Sequence, residues 1–118
     1  MSGAARRRVS IEARLWLAQR VSAAVLALCV LVHLATIVLA VRGGLSAAEI
    51  LGRTSGSMGW LFFYLTFVVA VAVHAPLGLR AILREWAAWR GISLDLATAL
   101  FALLLLVLGW RAVGGLFA

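Results

Sequence analysis

Two histidines lie inside long apolar runs, and the chain has no others. His33 falls in the run Leu15 to Val41, and His74 in the run Trp60 to Leu83. A buried imidazole needs a partner, and an ionisable group in such a run is a functional candidate by default. Two readings stand for each ring: a hydrogen bond to a neighbouring helix, or a bond to metal. Two such histidines with no transmembrane Asp or Glu favour haem. Neutral imidazole is an ordinary axial ligand, and a haem lies easily between helices.

The residues around His74 extend that chemistry. Pro76 frees the carbonyl of Ala72 and can bend a helix. Gly78, four residues after His74, leaves the same face bare for a flat ligand. Arg80 and Arg84, one turn apart, form a cationic edge that the propionates of a haem on His74 would reach; their alternative partner is lipid phosphate. Glu85 shares the face of His74, and Ser22 shares that of His33. Arg20 lies about five residues into the first run. It can snorkel to the interface, pair with a propionate, or donate to a quinone carbonyl.

Depth separates the two histidines. At 1.5 Å per residue, His33 is roughly 12 Å and His74 roughly 21 Å from the outer ends of their runs. Axial ligands of one iron sit at similar depth, so untilted helices disfavour a shared iron. Each histidine is expected to face a histidine of another chain, and three spans make a thin shell around a haem.

The elements that position these residues are helices in a membrane. The chain has 118 residues, 65% of them hydrophobic. Its mean hydropathy is +1.11. No soluble domain of this size hides that much apolar surface. The expected fold is all-α and integral to the membrane, one domain over residues 1–118, with spans at about 15–41, 60–84 and 94–113. Met1 to Arg14 reads as a basic surface segment, frayed at first and helical from Ser10. A signal peptide is the other reading of a basic start before an apolar run, but this run is too long for one. Ser46 is expected to cap a short amphipathic helix in the first loop, Ser93 to cap the third span with Asp95 in its first turn, and Gly114-Gly115 to end it.

The formal charge is +7, from eleven arginines and no lysine. In a soluble chain that would suggest nucleic acid; here the arginines flank apolar runs, so no nucleic acid partner is expected. Arg6, Arg7, Arg8, Arg14, Arg80, Arg84 and Arg90 outnumber Arg42, Arg53 and Arg111 on the other side. The N-terminus is therefore expected inside and the C-terminus outside. Trp16, Trp86 and Trp89 mark the inner interface, and Trp60 and Trp110 the outer one. The single cysteine, Cys29, excludes an internal disulfide and a cysteine-based metal site. The chain carries no phosphate-binding loop, no HExxH and no firm catalytic triad, so no catalytic residue is assigned.

His74, Gly78, Arg80 and Glu85 together resemble the cytochrome b membrane-anchor subunit of succinate dehydrogenase and fumarate reductase, respiratory complex II. In that family the second span carries a haem-ligand histidine, glycine at +4, arginine at +6 and an acid near +11. Its first span opens with His-Arg-x-Ser/Thr-Gly, whose arginine lies by the quinone. Gln19-Arg20-Val21-Ser22-Ala23 keeps the arginine and the hydroxyl but not the histidine or the glycine. Trp16 stands where the family has a quinone-contacting serine. His33 resembles the first-span histidine of two-haem anchors.

The resemblance implies a non-catalytic anchor of a succinate:quinone oxidoreductase in a bacterial cytoplasmic (inner) membrane, holding one or two haems b per complex. It implies His74 and His33 as iron ligands, with Arg20, Arg80, Arg84 and Gly78 around haem. Trp16, Arg20 and Ser22 would line the quinone site. The implied partners are a flavoprotein subunit, an iron–sulfur subunit and a second membrane anchor. The rival readings are a haem-free anchor or assembly protein, and a cytochrome b serving another respiratory dehydrogenase.

Overall fold

The computed structural model describes residues 2–118. They form four helices and no strand: α1 (Gly3–Arg42), α2 (Ala47–Thr54), α3 (Met58–Trp86) and α4 (Ile92–Phe117). Three of them, α1, α3 and α4, are long and apolar enough to cross a membrane. The fold is thus the expected all-α membrane bundle.

Helix α3 is the centre, with α1 packed on one side and α4 on another. Helices α1 and α4 barely touch each other. The seams are built mostly from small side chains: Ser22 and Cys29 on α1, Ala70, Ala72 and Pro76 on α3, with Leu94, Thr98 and Val113 on α4. Small residues let helix backbones approach closely where lipid removes the hydrophobic drive for association. Of the glycines, Gly109 is the most tightly covered: an added Cβ would overlap the side chain of Val68. Most large apolar side chains face outward, Phe62 and Leu39 among them, as expected where lipid is the solvent.

Helix α1 is longer than the sequence suggests. Its 40 residues make a rod of about 60 Å, matching the longest extent of the molecule, 60 Å. The basic segment is helical from Gly3, not from Ser10, and Ser2 Oγ caps it by accepting from the Ala5 N–H at 3.2 Å. Ala4, Ala5 and the three arginines are strong helix formers, and their propensity outweighs the poor electrostatics of cations at a helix start.

Helix α4 also departs from expectation at both ends. Gly91, with φ +94°, is its N-cap and supplies no side-chain bond; Ser93 instead accepts from Trp89 Nε1 at 2.8 Å. Gly114 and Gly115 do not stop the helix, which runs on to Phe117. A clasp from the first loop holds that end. Thr54 Oγ1 donates to the Leu116 carbonyl at 2.9 Å, the Gly56 N–H to Phe117 at 2.9 Å, and Ser55 Oγ to Phe117 and Ala118 at 3.3 and 3.2 Å. These donors satisfy carbonyls a helix end leaves free.

The short helix α2 starts with a capping box between Ser46 and Glu49, as the serine signalled. The Ser46 backbone N–H, 2.7 Å from the Glu49 carboxylate, holds that carboxyl below its usual range.

Candidate functional site

Helices α1 and α3 run antiparallel, so their polar residues meet in ordered layers. Glu12 lies beside Arg80 and Arg84, Gln19 beside Gly78, Ser22 beside His74, and His33 beside Tyr64 and Phe67. The end holding Arg80, Arg84 and Arg90 is here termed the basic end; the other is the α2 end.

His74 is half-buried at the α1–α3 seam, with its Nδ1 3.5 Å from Ser22 Oγ. His33 repeats the arrangement at the α2 end, with Nδ1 3.3 Å from Tyr64 Oη. The rings of Tyr64 and Phe67 meet the His33 ring edge-on, at 5.8 and 5.5 Å. In both cases a hydroxyl from the neighbouring helix engages Nδ1 and leaves Nε2 for another partner. That is how iron-binding imidazoles are oriented by their surroundings. The hydrogen-bonded reading and the ligand reading are therefore compatible at both positions.

The histidines serve different depths. Ser22 and His33 are eleven residues apart on α1, or about 16 Å along the axis. No single iron reaches both rings within one chain.

The donor set suits haem better than a bare ion. Among the described residues no three His, Cys, Asp or Glu gather as a chelate. A lone imidazole with a hydroxyl behind it fits iron already held in a macrocycle.

The arginines expected near propionates have carboxylate partners of their own. Arg80 Nε lies 3.1 Å from Asp95 Oδ1, and Arg80 Nη2 lies 3.7 Å from Glu12 Oε1. Arg84 Nη1 lies 3.3 Å from Glu12 Oε2. Arg80 thus joins α1, α3 and α4. Asp95 does more than complete a helix start: it is the α4 arm of this network. The pairs are half-exposed, so they fix geometry more than they add stability.

The first-span candidates split. Ser22 is buried against α3, while Trp16 and Arg20 are exposed. Two residues of helix are about 200° of rotation, so Arg20 and Ser22 cannot share a face. Arg20 lies over the Trp16 ring, 5.2 Å from its centroid. Trp16 also lines a cavity of about 370 Å³ at the basic end, with Gln19, Leu77, Arg80 and Arg84. Gly78 does not open onto space, because Gln19 Nε2 lies 3.3 Å from where its Cβ would stand. At the α2 end, His33 and Tyr64 wall a cavity of about 640 Å³, together with Thr36, Arg53, Trp60 and Leu116.

Glu12, Gln19 and Tyr64 were not singled out from sequence. Two signals were available: Tyr64 is the only tyrosine and Gln19 the only carboxamide in the chain.

No curated protein and no solved structure matches the chain. A family scan matches residues 4–113 to "Succinate dehydrogenase/Fumarate reductase transmembrane subunit", over the three spanning helices and the layers described above. The chain belongs to the succinate dehydrogenase/fumarate reductase transmembrane subunit family.

Proposed function

We propose that this chain is the haem b-binding membrane anchor of a succinate:quinone oxidoreductase, passing electrons between an iron–sulfur subunit and membrane quinone. The observation that carries the reading is His74, fixed at the α1–α3 seam by Ser22 and followed by Arg80 and Arg84 toward the basic end. Haem b at this position supplies reversible one-electron storage between the soluble subunits and the quinone. His74 would be the axial ligand of one iron and His33 that of a second. Arg80 and Arg84 would exchange Glu12 and Asp95 for propionates, with Gly78 keeping α1 close. Trp16 and Gln19 would flank the quinone head at the basic end; Arg20 and Ser22, on opposite sides of α1, cannot both reach it.

The flavoprotein and iron–sulfur subunits would dock at the basic end, where arginines concentrate. The basic end would face the cytoplasm of a bacterial inner membrane, a reading its excess of arginine supports. A second anchor subunit would share in holding the haem and cover the exposed apolar faces of α1 and α4.

A haem-free anchor is the second reading, favoured by the internal pairing of Arg80 and Arg84. A reduced-minus-oxidised spectrum of the purified complex, with its haem-to-flavin ratio, separates the two. The haem reading expects a b-type signal that His74→Ala diminishes. His33→Ala should remove about half the haem and leave the rest unchanged. A flat wild-type spectrum sinks the haem reading.

A further inference from the structure

We propose that Gln19 distinguishes reduced from oxidised quinone in the cavity at the basic end; this rests on the quinone-anchor reading above. Gln19 Oε1 is buried and has no hydrogen-bond partner, the one such side-chain atom among the described residues. A buried acceptor without a donor carries the full cost of its desolvation. The same side chain lines the cavity of about 370 Å³ beside Trp16, Leu15 and Leu77. Its amide nitrogen packs against Gly78, 3.3 Å from where a Cβ would stand. Of the charged groups lining the same cavity, Glu12 is engaged with Arg80 and Arg84, and Glu85 and Arg90 complete the set.

The missing partner is a donor; Oε1 is closed off from the cavity as it stands, so an occupant that brings a donor reaches it by a turn of the Gln19 side chain. An oxidised quinone offers only carbonyl acceptors. Its reduction takes up two electrons, which the iron–sulfur subunit delivers, and two protons from water. Both carbonyls become hydroxyls, each an O–H donor. Gln19 Oε1 matches the reduced form and has nothing to accept from the oxidised one. Trp16 supplies a flat wall that serves both forms. Gln19 then binds quinol more tightly than quinone and raises the midpoint potential of the bound couple.

The test uses the assembled complex carrying Gln19→Leu or Gln19→Glu. The readouts are KM for quinol in fumarate reduction, KM for quinone in succinate oxidation, and a potentiometric titration of the bound quinone. Haem-to-flavin ratio and complex yield report assembly. Gln19→Leu removes the acceptor and is expected to weaken quinol binding about threefold to tenfold relative to quinone. The midpoint potential should fall with it. Gln19→Glu keeps acceptor oxygens and should hold quinol near wild type. Equal changes for the two forms, as a bridging water would give, overturn the proposal, and so does no change. If Gln19→Leu fails to assemble, Gln19→Glu decides: selective loss of quinol binding overturns the proposal, and retention with weakened quinone supports it. A wild-type complex with no quinone turnover sinks the anchor reading itself.

Discussion

A hydroxyl stands at the Nδ1 of each histidine, and the two hydroxyls differ in how firmly they are held. Ser22 is buried and also donates to the Gln19 carbonyl at 3.0 Å, so its Oγ is anchored within α1. Removing it by Ser22→Ala should free the His74 ring without opening the seam. Loss of such an orienting partner typically costs about 10–100-fold in metal affinity. The expected outcome is a lower haem-to-flavin ratio after washing in detergent, with complex yield unchanged. Unchanged haem retention and potential would assign Ser22 to packing alone. At this scale the site was half legible. Histidines and arginines stand out in an apolar run because their burial is costly. The partners do not: Tyr64 and Glu12 gain meaning only from the helix they face, and Ser22 stood out without its link to His74. Ser22 shares a face with His33 on α1, yet it meets His74, since α1 and α3 run antiparallel.

The spanning helices were readable in number and order from hydropathy. Their ends were not. Propensity carried α1 back to Gly3, and α4 continues through Gly114 and Gly115 to an end held by donors from the first loop. Gly109 was equally silent in the sequence, although it sets the distance between α3 and α4. An added Cβ would meet both γ-carbons and the β-carbon of Val68. Rotation of a valine side chain that is stiff in a helix cannot clear both γ-carbons. Gly109→Ala should therefore destabilise the bundle by about 1–3 kcal/mol through overpacking. Alanine regains roughly 1 kcal/mol over glycine in a helix interior, which leaves a net loss of up to about 2 kcal/mol. Thermal loss of helicity in detergent would show it, and Val68→Ala added to Gly109→Ala should restore stability. A Gly109→Ala chain as stable as wild type would mean that the helices separate at no cost.

The whole molecule is a fan of three membrane helices with its arginines gathered at one end. Charge bias predicts that this end faces the cytoplasm. A cysteine introduced at Ser2 should react with a membrane-impermeant maleimide in inverted vesicles and stay protected in intact cells, Cys29 being buried. Labelling in intact cells would reverse the topology and the docking side with it. The fan would be open between α1 and α4, which barely touch, were it not for the loop from Thr54 to Gly56. That loop grips the last carbonyls of α4, while the segment leading into it leaves α1 beside the His33 cavity. Three helices joined in series become a closed mechanical circuit. A neighbouring chain that pulls on α4 then also strains the rim of the cavity over His33, at the end of the molecule farthest from Arg80.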